Sequence, residues 1–209
     1  MAVQYPDARA PGDIATPTVR DADRGDWADI REIVQAANRP FAAHLPPLVF
    51  ARYLDDLLAL DEHARRGQLL VAEVDGRISG SAAFYPNTYN QDMGWPRGWA
   101  GGRGMAVHPD ARHLGAARAL LDECERRARV HGARVFAFHT ATFMTGAIAL
   151  YERLGYCRAP HFDIDMTAHY GLTSSRPVMA IAYRRNLREG GPCQSERVGM
   201  RDPLVPRRR

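Results

Sequence analysis

The chain has 209 residues, of which 45% are hydrophobic and 25% charged; these average proportions exclude a disordered, collagenous or fibrous protein. No apolar run reaches the roughly 18 residues of a membrane-spanning helix, and the polar start Met1 to Ala10 lacks the apolar core of a signal peptide, so a cytoplasmic protein with no membrane partner is expected. All 28 basic residues are arginine and the net charge is +4, but six arginines against three acids after Leu187 carry +3 of it, leaving a nearly neutral body that argues against a nucleic-acid partner.

Residues 1–17 are rich in proline, glycine and aspartate, and residues 188–209 combine glycine, proline and arginine with few apolar positions. Both are expected to be disordered tails, which leaves 18–187 as a single domain. Three cysteines (Cys124, Cys157, Cys193) match no zinc or redox spacing and are expected to be reduced, with Cys124 packed as a small hydrophobe.

A short strand at Thr18–Arg20 is followed by a helix on which Trp27, Ile30, Ile33, Val34 and Ala37 recur at helical spacing. A second helix starts at Pro47 and carries Phe50, Tyr53, Leu54, Leu57 and Leu58. Leu69–Val74 and Ile78–Tyr85 read as a hairpin around Asp75-Gly76, a pair suited to a tight primed turn. A long loop over 86–98 precedes a strand from Trp99 to Val107. The next helix has Ala117, Leu120, Leu121, Cys124 and Ala128 on one face, and pairs Asp122/Arg126, Glu123/Arg127 and Glu125/Arg129 on the other. Gly132 marks its end. A strand at Val135–Phe138, a helix at Gly146–Leu154, and strands at Tyr156–Met166 and Val178–Tyr183 complete the order. Strands interleaved with helices predict a mixed α/β sheet with both faces covered.

The chemistry concentrates where the strand ending at Val107 turns through His108-Pro109-Asp110 into a helix that opens with Gly115, Ala116 and Ala117. Unpaired N–H groups and the positive dipole end suit an anion there, small side chains let a phosphate approach, and Arg112 adds a charged donor. The competing reading is that the small residues serve only close helix-to-sheet packing. Neither Gly-Lys-Ser/Thr nor Gly-x-Gly-x-x-Gly stands between strand and helix, so the two commonest phosphate loops are excluded.

Arg112-His113-Leu114-Gly115-Ala116-Ala117 resembles the Arg/Gln-x-x-Gly-x-Gly/Ala motif of the GCN5-related N-acetyltransferases (GNAT). Ala147-Ile148-Ala149-Leu150-Tyr151-Glu152-Arg153-Leu154-Gly155-Tyr156 resembles that family's second signature, and the order of elements over about 18–184 is similar to the family's. The resemblance implies a mostly antiparallel mixed sheet splayed in the middle, with acetyl-CoA as acetyl donor, no metal, and an amine acceptor that is a small molecule or a peptide. It implies that main-chain groups of Met105, Ala106 and Val107 hold the pantetheine arm. N–H groups over His113, Leu114, Gly115, Ala116, Ala117 and Arg118, with Arg112, would hold the pyrophosphate. Tyr151 takes the place of the tyrosine that faces the CoA sulfur, and a neutral phenol is a suitable proton donor to a thiolate.

The chain departs from the family pattern at two places. Trp99–Val107 carries no carboxylate where many members have a glutamate base, leaving Asp92, His139, Asp163, water or an already neutral acceptor. Met144 stands where an asparagine often contacts the cofactor. The missing base keeps a second function open, a non-catalytic protein that binds acetyl-CoA or CoA. His161, Asp163 and Asp165 alternate on one predicted strand, as a solvated face or a metal set. His108 and His113 read as turn residues. Tyr89, Asp92, Trp95 and Trp99 read equally as an acceptor platform for a cationic or aromatic amine or as aromatics anchoring their loop. The acceptor's identity and the oligomeric state stay open, a homodimer included.

Overall fold

The computed structural model describes residues 16–89, 94–173 and 177–188. Most of both expected tails, together with Asp92 and Cys193, lies outside them. In chain order the elements are β1 (Thr18–Asp21), α1 (Trp27–Asn38), α2 (Pro47–Leu57), α3 (Leu60–Arg66), β2 (Gln68–Val74), β3 (Arg77–Tyr85), β4 (Trp99–Val107), α4 (Ala116–Val130), β5 (Val135–Ala141), α5 (Thr145–Arg153), β6 (Cys157–Arg158), β7 (Ile164–Asp165), α6 (Met166–His169) and β8 (Met179–Asn186).

The strands form one sheet in the order β1-β2-β3-β4-β5-β8-β6, with β7 also paired to β8. Every pairing is antiparallel except β4 with β5. The hairpin turn forms as the sequence predicts, with Asp75 and Gly76 at φ 54° and 72°. That parallel contact is short: only Trp99, Ala100 and Gly101 pair with Val135, Phe136 and Ala137, after which the two strands part. A bulge helps to separate them. Between Ser81 and Ala83 the register on β4 jumps from Ala106 to Arg103, and Gly104 takes φ 61° inside the extra turn of chain.

One continuous core runs beneath both halves of the sheet on the α4/α5 side, joining Leu70, Phe84, Leu120, Cys124, Phe136, Phe138, Tyr151 and Tyr183. On the opposite side α1, α2 and α3 cover β2, β3 and β4. Trp95, Trp99 and Phe162 cover β5 and β8 there. The two coverings on that side meet at the line where β4 and β5 part.

Several sequence expectations need correction. The helical stripe after Pro47 breaks at Leu58, and a third helix over Leu60–Arg66 follows it. The predicted strand Tyr156–Met166 is two two-residue strands separated by a 3-10 turn over Pro160–Phe162, because Pro160 has no N–H to donate to a ladder. Glu125 is not on the solvated face of α4. It is 4% exposed and binds Arg129 at 3.0 Å, Arg185 at 3.1 Å and the Tyr156 hydroxyl at 2.6 Å. Asp122 pairs with Arg118 rather than Arg126, while Glu123 takes Arg126 and Arg127. Cys124 is free and buried as expected, its thiol pushed up to about 12 by burial, but Cys157 is disulfide-bonded, so the three cysteines are not all reduced. Among the described residues no helix is long and apolar enough to cross a membrane.

Candidate active site

Two concave features flank the parting of β4 and β5. The first is the turn from β4 into α4. The His108 ring accepts the Asp110 N–H at 3.3 Å and fixes the turn's entry. His113 and Gly115 then take left-handed backbone at φ 67° and 89°. Such a path gathers successive N–H groups on one concave side. No side chain caps α4, and its first backbone bond runs from the Ala119 N–H to the Gly115 carbonyl, so the N–H groups of Ala116, Ala117 and Arg118 have no helical acceptor.

Around this cradle Ala116 is buried against the core, whereas Arg112, His113 and Leu114 face solvent and Arg118 pairs with Asp122 at 3.4 Å. Met105 and Val107 pack towards α4, and Ala106 packs towards α1 and α2, as alternation along β4 requires. The structure therefore brings the sequence-derived cradle residues into one turn and places Met105–Val107 on the β4 segment that has left β5.

The second feature is a cleft of ≈ 930 Å³, its open mouth included, on the α1/α2 side of the parting. Apolar and aromatic side chains of Leu45, Val49, Tyr53, Trp95, Phe143 and Met166 line it, and Gly101–Gly104 and His139–Ala141 form its floor. Arg103 reaches across to Asp56 on α2, and the Tyr170 hydroxyl donates to the same Asp56 Oδ2 at 3.3 Å. Glycine is required at 101. A side-chain carbon there would lie 2.5 Å from Thr88 Cγ2 and 3.0 Å from the Ala137 carbonyl, so Thr88 fills the space a strand carboxylate would need.

Tyr151 does not line this cleft; it sits on the other side of the sheet, 8% exposed, with its ring 4.4 Å from that of Phe138 and 6.1 Å from that of Tyr183. Burial pushes its hydroxyl up to about 12, so it is a neutral proton carrier at pH 7. The Tyr53 hydroxyl in the cleft is raised above its ordinary value, by burial first. Met144 immediately precedes α5 and accepts a hydrogen bond from Thr140 Oγ1 at 3.5 Å.

The other candidates separate. His139 is on the cleft floor: its Nε2–H donates to the Phe162 carbonyl at 2.7 Å, its ring lies 4.4 Å from Trp95, and burial lowers its pKa to about 4. Asp163 is spoken for, bound to Arg158 at 2.8 Å and to the Ala182 N–H at 2.8 Å, and Arg158 holds it below the usual carboxylate range. It is no base. Asp165 accepts the Thr167 N–H at 2.8 Å as the cap of α6, so His161, Asp163 and Asp165 form neither a solvated strand face nor, among the described residues, a ligand set of three. Trp95 and Trp99 are buried and stacked 5.7 Å apart; Trp99 anchors the loop, and Trp95 also walls the cleft. Tyr89 stays exposed beneath Arg97 at 4.1 Å.

Sequence reasoning missed Asp56, Arg103, Tyr53, Tyr85, Tyr170 and His63, which the fold gathers from α2, α3, β3, β4 and the residue that follows α6. The composition of β4 holds the one local signal. Arg103 is a lone charge among Gly101, Gly102 and Gly104, in a strand predicted to be covered on both faces.

Comparison with known proteins agrees with this geometry. The model of the Acetyltransferase (GNAT) family matches residues 27–156. Similar solved structures include a GNAT-family acetyltransferase from Staphylococcus aureus Mu50 (TM-score 0.59, 17% identity, 82% of this chain and 99% of that one). A putative acetyltransferase from Salmonella typhimurium, solved with its cofactor acetyl-CoA, matches with TM-score 0.56 and 21% identity over 86% of this chain and 98% of that one. The ribosomal-protein-S18-alanine N-acetyltransferase of Escherichia coli matches with TM-score 0.54 and 19% identity over 84% and 96%. No curated protein sequence matches. At these identities the structures speak for the fold, and the family rests on the match across α1 to Tyr156, more than half of the chain and both signature motifs. The split sheet, the uncapped helix after it and that match lead to one conclusion: the chain belongs to the GNAT family of acetyltransferases.

Proposed function

We propose that the protein is an acetyl-CoA-dependent N-acetyltransferase in which an amine held in the cleft attacks the thioester directly, without an acyl-enzyme. The observation that carries this reading is the parting of β4 and β5 after Gly101 and Ala137, with an anion cradle at one end and an acceptor-sized cleft on one side. The free edge of β4 at Met105, Ala106 and Val107 holds the pantetheine arm, and the uncapped N–H groups over His113–Arg118, with Arg112, hold the pyrophosphate. The acceptor nitrogen forms its bond to the acetyl carbon as the carbon–sulfur bond breaks. Tyr151 gives its phenolic proton to the departing thiolate, the acylated nitrogen releases its excess proton to water as the amide forms, and Tyr151 is reprotonated from solvent.

The test is thermal unfolding with saturating acetyl-CoA, CoA or ATP, followed by turnover on a panel of alkylamines, arylamines, amino acids and peptides. A ligand at 100 times its Kd adds about 2.7 kcal/mol to stability. Stabilisation by acetyl-CoA and CoA but not ATP, with turnover on some amine, is the expected result. No shift with any of them overturns the reading, and a shift without turnover leaves the non-catalytic acetyl-CoA-binding function in its place.

A further inference from the structure

The acceptor of an N-acetyltransferase must lose a proton to attack, and β4 carries no carboxylate to take it. Resting on the function proposed above, we propose that Tyr85 and His63 form the proton relay of this chain: Tyr85 receives the acceptor's proton and His63 stores it.

His63, on α3, is 5% exposed and bonded at both ring nitrogens. Its Nε2 lies 2.9 Å from the Asp56 carbonyl, which only accepts, so Nε2 carries the hydrogen. Burial lowers the pKa of the ring, which keeps it neutral at pH 7, and Nδ1 is then a bare lone pair. The Tyr85 hydroxyl lies 2.5 Å from that lone pair and donates to it. Tyr85 therefore points its only proton away from the cleft it lines, and its oxygen lone pairs remain for a group inside the cleft.

Position supports the same role. Tyr85 pairs directly with Gly101, the last β4 residue joined to β5, so the two residues share the cleft face at the apex of the parting. Thr88 occupies the space beside Gly101, which excludes a side chain from β4 there. The charged and titratable groups around the pair are Asp56 on α2, Glu62 and Arg66 on α3 and Arg103 on β4. Asp56 and Glu62 favour an imidazolium at His63, and Arg103 opposes it. His139, the other histidine of the cleft, donates its Nε2–H to the Phe162 carbonyl, and its pKa is lowered by burial first, with Arg103 and His169 opposing its protonation and Asp163 favouring it.

The step balances. An N–H of the acceptor ammonium passes its proton to Tyr85 Oη, the Tyr85 proton moves to His63 Nδ1, and the freed nitrogen lone pair attacks the acetyl carbon. Tyrosine returns to its neutral form, and the imidazolium releases its proton back along the same path after product leaves.

His63→Gln keeps a donor for the Asp56 carbonyl and an acceptor for Tyr85 but removes the base, and Tyr85→Phe removes the relay atom. Both are assayed with phenethylamine, an ammonium at pH 7 with a pKa near ~10, and with aniline, which is neutral there. Expected is a loss of about 10² in kcat/KM with phenethylamine, shrinking as the pH approaches 10, and a change of less than about threefold with aniline. Equal losses for both amines, or none for either, overturn the relay. Thermal unfolding with and without acetyl-CoA checks that each variant folds and still binds the donor. Independently of turnover, ¹⁵N NMR of His63 at pH 7 must show the neutral ring with hydrogen on Nε2; a protonated ring, or hydrogen on Nδ1, also overturns it. A wild type that binds acetyl-CoA but acetylates no amine refutes the proposed transfer instead, and the NMR result still decides the relay's geometry.

Discussion

Burial sets the protonation of Tyr151 and His139, leaving both neutral at pH 7. Tyr151, pushed up to about 12 by burial, keeps its proton at pH 7 and so stands as a neutral phenol. Tyr151→Phe is expected to lower kcat by about 10² while the Kd for acetyl-CoA, measured by calorimetry, stays within about twofold; unchanged turnover removes the acid assignment. At the cradle, Gly115 stands at φ 89°, so any side chain there strains the backbone as well as crowding an anion. Ala117→Glu is the cleaner probe. It places a carboxylate, of the same sign as the pyrophosphate, beside the unpaired N–H groups of α4, and the Kd for acetyl-CoA should rise tenfold or more without loss of fold. His139 makes a stability prediction. Its folded pKa of about 4 lies below its ordinary 6.5, so the unfolded chain binds the extra proton first, and stability is full above about 6.5 and falls as the pH drops towards 4. The loss is up to about 3 kcal/mol, and urea titrations of wild type and His139→Asn across that window should diverge by about that amount.

At the scale of elements, the sequence was most legible where period and turn chemistry agreed. The hairpin at Asp75-Gly76, the α4 stripe ending before Gly132 and the helix carrying Tyr151 all formed within a residue or two of expectation. The failures have physical reasons. Residues 60–66 are too short and too charged to show an apolar period, and Pro160 breaks a segment whose alternation looked like a strand. Glu125 looked like one more surface partner for Arg129, because four-residue spacing cannot reveal that Tyr156 and Arg185 arrive from elsewhere. That cluster ties α4 to β8. Glu125→Leu would strand Arg185 at the edge of the core, and the expected cost is about 3 kcal/mol in chemical unfolding, against less than about 0.5 kcal/mol for the exposed Asp122→Ala. The site divides in the same way. Its backbone cradle follows from a contiguous motif, whereas Asp56, His63, Tyr85, Arg103 and Tyr170 are single residues that only the fold brings together.

At the scale of the whole molecule, two sheet halves meet through three residue pairs, and one core spans them. A shared core enforces cooperativity even where the ladder is thin, so a single thermal transition is expected; two resolved transitions would show that the halves fold separately. Donor binding should then slow amide exchange at Met105–Val107 and 113–118 more than elsewhere, since these are the β4 segment that has left β5 and the uncapped start of α4.

One surface feature bears on how such an enzyme coexists with its own donor. Guanidinium groups make the ion pairs Arg20–Asp26, Arg65–Glu62, Arg126–Glu123 and Arg158–Asp163, and the 209 residues contain no lysine. A guanidinium stays protonated at any physiological pH and is a very poor nucleophile towards a thioester. The protein therefore offers no side-chain amine for acetyl-CoA to mark, by its own catalysis or by slow chemistry in solution. Amine-reactive dyes and mass shifts of 42 Da seen in a reaction mixture would report on the acceptor, with almost no background from the enzyme.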